Sequence, residues 1–200
     1  MKQQNAKEFN HFTTSKKYKL TNETIEFCGQ KLHRIQALED FSDVKAGDLG
    51  GWIEKENNLS QEGNAWVYDN AMIYGDARVT GNAVVYGKAM VYDNAKIYDI
   101  SMIYDNAKVY GNALVSGKAE VYDKAKVHGD AWIFGNAEVY DKAKVYGDTW
   151  FFDNAEVYGN AQVSGKAKVY GNAMVYGNAK VYGKATVSGY TEVFDKSIVR

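Results

Sequence analysis

Histidine and cysteine, the commonest base and a ready nucleophile near neutral pH, are scarce in this 200-residue chain. The histidines are His11, His33 and His128, and Cys28 is the single cysteine. A histidine base needs an orienting partner within hydrogen-bond reach. His11 lies in a polar N-terminal stretch and His33 in a strand-like segment. His128 stands beside Gly129 where the surrounding pattern calls for tyrosine. It could serve as a base in a cleft between copies, with a carboxylate from another chain. More often a lone histidine at such a site is a surface substitution. Cys28 has no neighbouring histidine in sequence, and no His/Cys cluster has zinc spacing. Asp69, Asp105, Asp123 and Asp141 recur at one position and could face a cation, although turn preference accounts for them. No G-x-x-x-x-G-K-[ST] phosphate loop is present. Catalysis is poorly supplied, no metal site is expected, and recognition by surface is the better reading.

The elements that would carry such a surface come from a six-residue repeat. Every sixth residue from Val67 to Val199 is Val or Ile, except Phe151. Two residues earlier sits Ala, replaced only by Ser101, Thr149, Thr191 and Ser197. Two residues later sits Gly or Asp. Alternation at Ala-x-Val makes a three-residue strand with both small side chains facing inward. Gly and Asp tolerate positive φ and turn the chain. Strands this short cannot form a hairpin meander, and apolar positions do not recur at helical spacing. The period predicts an all-β, single-stranded parallel β-helix of triangular section, three hexads and 18 residues per coil. At roughly 4.8 Å per coil, the run is a prism roughly 37 Å long.

Residues 18 apart stack, so three faces can be read. The first carries an aromatic ladder from Tyr68 to Phe194 and the glutamates Glu120, Glu138, Glu156 and Glu192. The second carries Tyr74, Tyr92, Tyr110, His128 and Tyr146, with Lys108, Lys126, Lys144 and Lys180 at its outward strand position. Stacked rings most simply bury area and shield the backbone. The charge ladders serve solubility, or an acidic face of one copy meets a basic face of another and closes a ring of three. On the third face, Leu114, Trp132, Trp150, Phe134 and Phe152 form one apolar patch over three coils, bounded by lysines. Such a patch marks an interaction surface. Its occupant would be another copy, another macromolecule or the chain's own tail.

The N-terminal part reads as a tail and cap, residues 1–50, ahead of a solenoid, residues 51–200. Residues 1–16 look like a loose tail. Residues 17–39 look like short antiparallel strands KYKL, TIEFCG and KLHRIQAL, with turns at Asn22 and Gly29. Residues 40–51 form a Gly-rich connection, and Ile53 and Leu59 begin the hexads, two residues out of phase with Val67. The hairpin is the expected cover for the exposed first coil. The apolar outward residues Trp66, Met72, Val84, Met90 and Met102 fit a position under that segment. The chain stops in repeat register at Ile198 and Val199, so an end-to-end contact through Phe194, Ile198 and Val199 is expected.

A net charge of −1 gives no basic footprint for nucleic acid, and no N-terminal apolar run resembles a signal peptide or membrane span. One cysteine suits a reducing compartment, so a cytoplasmic protein is expected.

The hexads resemble the left-handed β-helix proteins of the hexapeptide-repeat class over about two-thirds of the chain. A sharper resemblance lies in HRIQALEDFSDVKAGDLGGWIEKENNLSQEGNAWVYDNAMIYG, residues 33–75. Its D-F-x-D-V-K-A-G…G-G-W-[IV]…L-S-x-x-G core, Asp40 to Gly63, is similar to the opening segment of the YdcK family of bacterial β-helix proteins. The resemblance implies a left-handed helix, relatives in phages and prophages, and a transferase label given by analogy with hexapeptide acyltransferases. Those enzymes use a histidine base at a groove between subunits and an acyl-CoA donor, a role that only His128 could take. They also have a loop excursion for the acceptor, and from Val67 onward no insertion breaks this repeat. The favoured expectation is a non-enzymatic, cofactor-free binding or scaffold protein. It is a dimer or trimer with itself, binds another protein, and in one specific case is a phage-encoded inhibitor of a host or defence protein. The alternative is an acyltransferase.

Overall fold

The computed structural model describes residues 16–200 and is a parallel β-solenoid without α-helices, joined to an N-terminal hairpin. The reading of residues 1–16 as a tail, and with it His11, lies outside the described residues except for Lys16. The hexads form two- or three-residue strands, from β4 (Trp66–Val67) to β26 (Ile198–Val199), one every six residues. They fall into three sheets, with eight strands on the first face and seven on the third. Neighbours in each sheet are in parallel register 18 apart, as in Trp132↔Trp150 and Ile133↔Phe151. The Ala and Val positions are buried from Ala65 to Val181, which makes the interior a column of small and β-branched side chains.

The three-residue strands of the expectation are shorter here, mostly x-Val alone, yet the preceding residue still joins the ladder through its carbonyl. Trp66 N–H donates to Ala83 O at 3.1 Å and Tyr68 N–H to Val85 O at 2.8 Å. These two N–H groups point toward the following coil, and the carbonyls that they reach point back toward the preceding one. Corners need positive φ, supplied by glycine, as at Gly129 (φ 72°), or by aspartate, as at Asp123 (φ 57°). Six aspartates also accept the corner N–H one coil on, for example Asp99 from Gly117 at 2.9 Å and Asp141 from Gly159 at 3.0 Å. That bond gives a partner to an N–H that the strand ladder leaves out, and it explains Asp at this position better than a cation does. Among the described residues no group of three or more His, Cys, Asp or Glu is placed to hold a metal.

The N-terminal region has two hairpin strands rather than three short ones. β1 (Tyr18–Phe27) and β2 (Gln30–Ala37) pair antiparallel around the turn at Cys28 and Gly29. The expected turn at Asn22 is instead an irregularity within β1, where the register shifts between Leu20 and Thr24. The polar T-N-E stretch bulges without leaving the strand, because flanking residues on both sides keep their partners in β2. β3 (Leu49–Ile53) pairs antiparallel with β2 and parallel with the strand Met72–Ile73, so the hairpin extends the second-face sheet. Ile53 faces Ile73 and Leu59 faces Val79, so the first coil is two residues longer than the rest. Gly50 and Gly51 lie in β3 where a side chain would not fit. A Cβ on Gly50 would stand 2.6 Å from Val67 O and Ile35 Cγ1.

On the first and third faces no strand precedes the first coil, and the start of the hairpin supplies donors to its carbonyls. Lys17 Nζ donates to Gly63 O (3.1 Å) and Ala65 O (2.9 Å). Tyr18 Oη lies 2.7 Å from Leu59 O and 2.9 Å from Glu56 O, with its single proton shared between the two carbonyls. Lysine suits this place because its ammonium offers donors and no acceptor. Burial pulls the Lys17 ammonium down to about 8 and pushes the Tyr18 phenol up. The Asp40–Asp48 loop bonds to itself and to the prism. Asp40 accepts Ala46 N–H (2.9 Å) and Lys45 Nζ (3.1 Å), and Asp43 accepts Tyr68 Oη (2.7 Å). These contacts give a physical role to the D-F-x-D-V-K-A-G motif. Of the apolar outward residues, Trp66 is buried against Tyr18 and Phe41, with ring centres 6.1 and 5.3 Å away. Val84 and Met102 are half-buried on the first face.

Candidate interaction surface

The third face brings its five apolar residues together as their spacing requires. Leu114, Trp132 and Trp150 occupy consecutive strands in register. The two indoles stack at 5.2 Å and 8°. Beside them Phe134 stacks on Phe152 at 4.9 Å, and Phe152 on Tyr170 at 4.8 Å. Phe134 also meets Trp150 edge-on at 6.4 Å. Tyr98 and Ser116 join Leu114, Trp132, Phe134 and Trp150 around a shallow depression of about 220 Å³. Lys168 Nζ lies 5.7 Å from the Trp150 ring, closing one end with a cation–π contact. Both tryptophans remain 42 % exposed. Stacking fixes their rotamers before any partner arrives, so binding there would cost little side-chain entropy. Beneath the patch Phe151 replaces Val in the core, and the adjacent Thr149 replaces Ala; both are buried.

His128 takes a place in the second-face aromatic ladder. Its ring stacks between Tyr110 (4.6 Å) and Tyr146 (5.1 Å). Burial first, then Lys126 and Lys144, holds its pKa below the usual histidine range, so the imidazole is neutral at pH 7. Neutrality would suit a base, but the ring nitrogens have no hydrogen-bond partner among the described residues. His33 Nδ1 lies 3.1 Å from Thr21 O within the hairpin. Cys28 is exposed at the hairpin turn.

On the first face the two ladders are one hydrogen-bonded system, which the sequence reading missed. Tyr104 Oη donates to Glu120 (2.8 Å), Tyr122 to Glu138 (3.0 Å), Tyr140 to Glu156 (2.9 Å) and Tyr176 to Glu192 (2.8 Å). The signal was present as a glutamate sixteen residues after each of these tyrosines. Each bond pins a carboxylate and raises the phenol's pKa. Burial is the leading cause at Tyr104, Tyr122 and Tyr140, and the bond to Glu192 leads at Tyr176, pushed up to about 12.

At the far end Phe194 stacks on Tyr176 at 5.5 Å, and Ile198 is exposed while Val199 is half-buried. Ladder bonding ends with Tyr182 N–H on Val199 O, and no further coil follows among the described residues.

The chain matches the family described as YdcK Beta solenoid repeat at residues 71–87 and 167–183. It is also similar to a protein of Escherichia coli (strain K12) named "Uncharacterized acetyltransferase YdcK", 45 % identical over 62 residues. That match covers 27 % of this chain and 19 % of the relative, so it spans about a fifth of the length of the curated relative. Matches and architecture are consistent with a YdcK-like β-solenoid.

Proposed function

We propose that this protein is a binding or scaffold protein that acts through the rigid third face of its solenoid. The observation that carries this reading is the pre-stacked, half-exposed pair Trp132 and Trp150 with Leu114, Phe134 and Phe152 beside it. Large aromatics in a contiguous patch are the usual anchors of protein interfaces. The first occupant to test is a second copy, in a homo-oligomer of two or three chains. A second protein would use the same anchors, and a phage-borne inhibitor of a host protein is one such case. Phe194 and Ile198, both exposed, with Val199 beside them, are the residues proposed for an end-to-end contact with a neighbour. The cytoplasm is the proposed compartment.

Light scattering on the wild type and on Trp132→Lys/Trp150→Lys tests this. An oligomer that dissociates in the variant, with circular dichroism unchanged, supports self-association. A wild-type monomer refutes it, and the face is then tested as bait for another protein.

The second reading is an acyltransferase with an acyl-CoA donor, favoured by the printed name of the Escherichia coli relative. Acyl-CoA binding lost in His128→Ala would support it. The stacked, unpartnered His128 weighs against it.

A further inference from the structure

A cleft of about 560 Å³ lies where the hairpin leans over the second face, and it is independent of the aromatic patch. Phe27 reaches Tyr74 edge-on at 5.8 Å, which brings β1 over the sheet that it also extends. Trp52, Met72, Met90 and Lys108 form the floor, in register from β3 downward. Ile25 forms the opposite wall, and the corner residues Asn70, Lys88 and Asn106 form the rim. The floor is thus apolar from Trp52 to Met90 and ends at the Lys108 ammonium, while the rim beside it carries the Lys88 ammonium and two amides, with no carboxylate among the residues that line the cleft. Asp69, next to Asn70, is already engaged by Gly87 N–H at 3.1 Å. A third cation stands beside Trp52, outside the lining itself. The Arg34 guanidinium lies 5.1 Å from the Trp52 ring, and its Nε is buried without a partner among the described residues.

We infer that this cleft binds an amphiphilic anion, a molecule with an apolar body of medium-chain length and one anionic head group. Volumes of roughly 300–1,000 Å³ with an apolar lining and a few placed polar groups are those of small-ligand sites. Two methionines in the floor suit a flexible chain, because thioether side chains adapt to irregular shapes. Lys88 and Lys108 set the orientation: the body lies along Met72 and Met90, and the head group lies toward the ammonium groups. Asn70 and Asn106 supply further donors to an oxyanion.

The test uses the full chain labelled at methionine methyl groups, with sodium decanoate below its micelle concentration as probe. Decan-1-ol and inorganic sulfate are the comparison probes. Saturable shifts at Met72 and Met90, with Met102 and Met174 unmoved, are the expected result. Decanoate should bind about tenfold or more tighter than decanol, about 1.4 kcal/mol per decade. Lys88→Glu/Lys108→Glu should remove that preference while leaving decanol binding unchanged, and Ile25→Asp should weaken both. No saturable shift in the wild type overturns the proposal. So do shifts spread equally over Met72, Met90, Met102 and Met174, which would be surfactant adsorption. Equal binding of decanol and decanoate, or binding of sulfate alone, overturns the amphiphilic-anion assignment. None of these readouts depends on the third face.

Discussion

Thr149 should be a site of improvement. Its position belongs to alanine elsewhere in the same sheet, Ala131 in the preceding coil and Ala167 in the following one. The residue is fully buried, and its Oγ1 finds no partner among the described residues. An unsatisfied buried hydroxyl costs about 1–3 kcal/mol. Valine has nearly the same shape with a methyl in place of the hydroxyl, so Thr149→Val removes that cost and opens no cavity. The expected gain is about 1–2 kcal/mol, equivalent to about 3–6 °C in melting temperature for a chain of this size. Ser101 is the control because it occupies the same repeat position, and its Oγ donates to Tyr98 O at 2.7 Å. Ser101→Ala therefore loses a made bond and should cost about 0.5–1.5 kcal/mol. Urea unfolding followed by circular dichroism reads both variants. Amide exchange over residues 143–152 adds a local measure, since solenoids can open in sections. A Thr149→Val protein no more stable than wild type, or a Ser101→Ala protein that gains as much, would refute the reasoning.

Three further outcomes are expected. Tyr122→Phe should lose about 0.5–1.5 kcal/mol with its bond to Glu138, while Tyr158→Phe, whose coil has Met174 in place of glutamate, should be near neutral in the same urea experiment. Gly50→Ala should destabilise the junction of hairpin and prism by about 2–3 kcal/mol, seen as faster amide exchange in β1 and β2, because Val67 O, Ile35 and Trp66 leave no room for a Cβ. Stability should fall steeply as pH rises through 10 toward 12. Phenols such as Tyr92 (about 12, from burial first) ionise later in the folded chain than in the unfolded one, so their contribution is complete below pH 10 and lost above it. Tyrosinate absorbance recorded alongside circular dichroism checks this: ionisation near pH 10 without loss of structure would contradict it.

The sequence by itself determined the repeat architecture. A β-branched residue every sixth place, an alanine two before and a positive-φ residue two after leave one way to bury the small side chains, and stacking at 18 residues follows. The third-face patch was legible for the same reason, since Leu114, Trp132 and Trp150 become neighbours as soon as the coil length is known. Single-position interactions were not legible. Whether a ladder tyrosine reaches a glutamate, as Tyr140 reaches Glu156, depends on side-chain reach across one coil rise. Whether a substituted core residue is satisfied, as Ser101 is and Thr149 is not, depends on rotamers that a period cannot encode. The hairpin was legible as a cap but not in its geometry. Its bulge at Leu20–Thr24, Lys17 and Tyr18 on the first coil's carbonyls, and the cleft between Ile25 and Met90 all arise from how β1 folds back over a sheet. A long-range packing angle of that kind has no signature in local sequence, so only the tertiary structure could place those groups together.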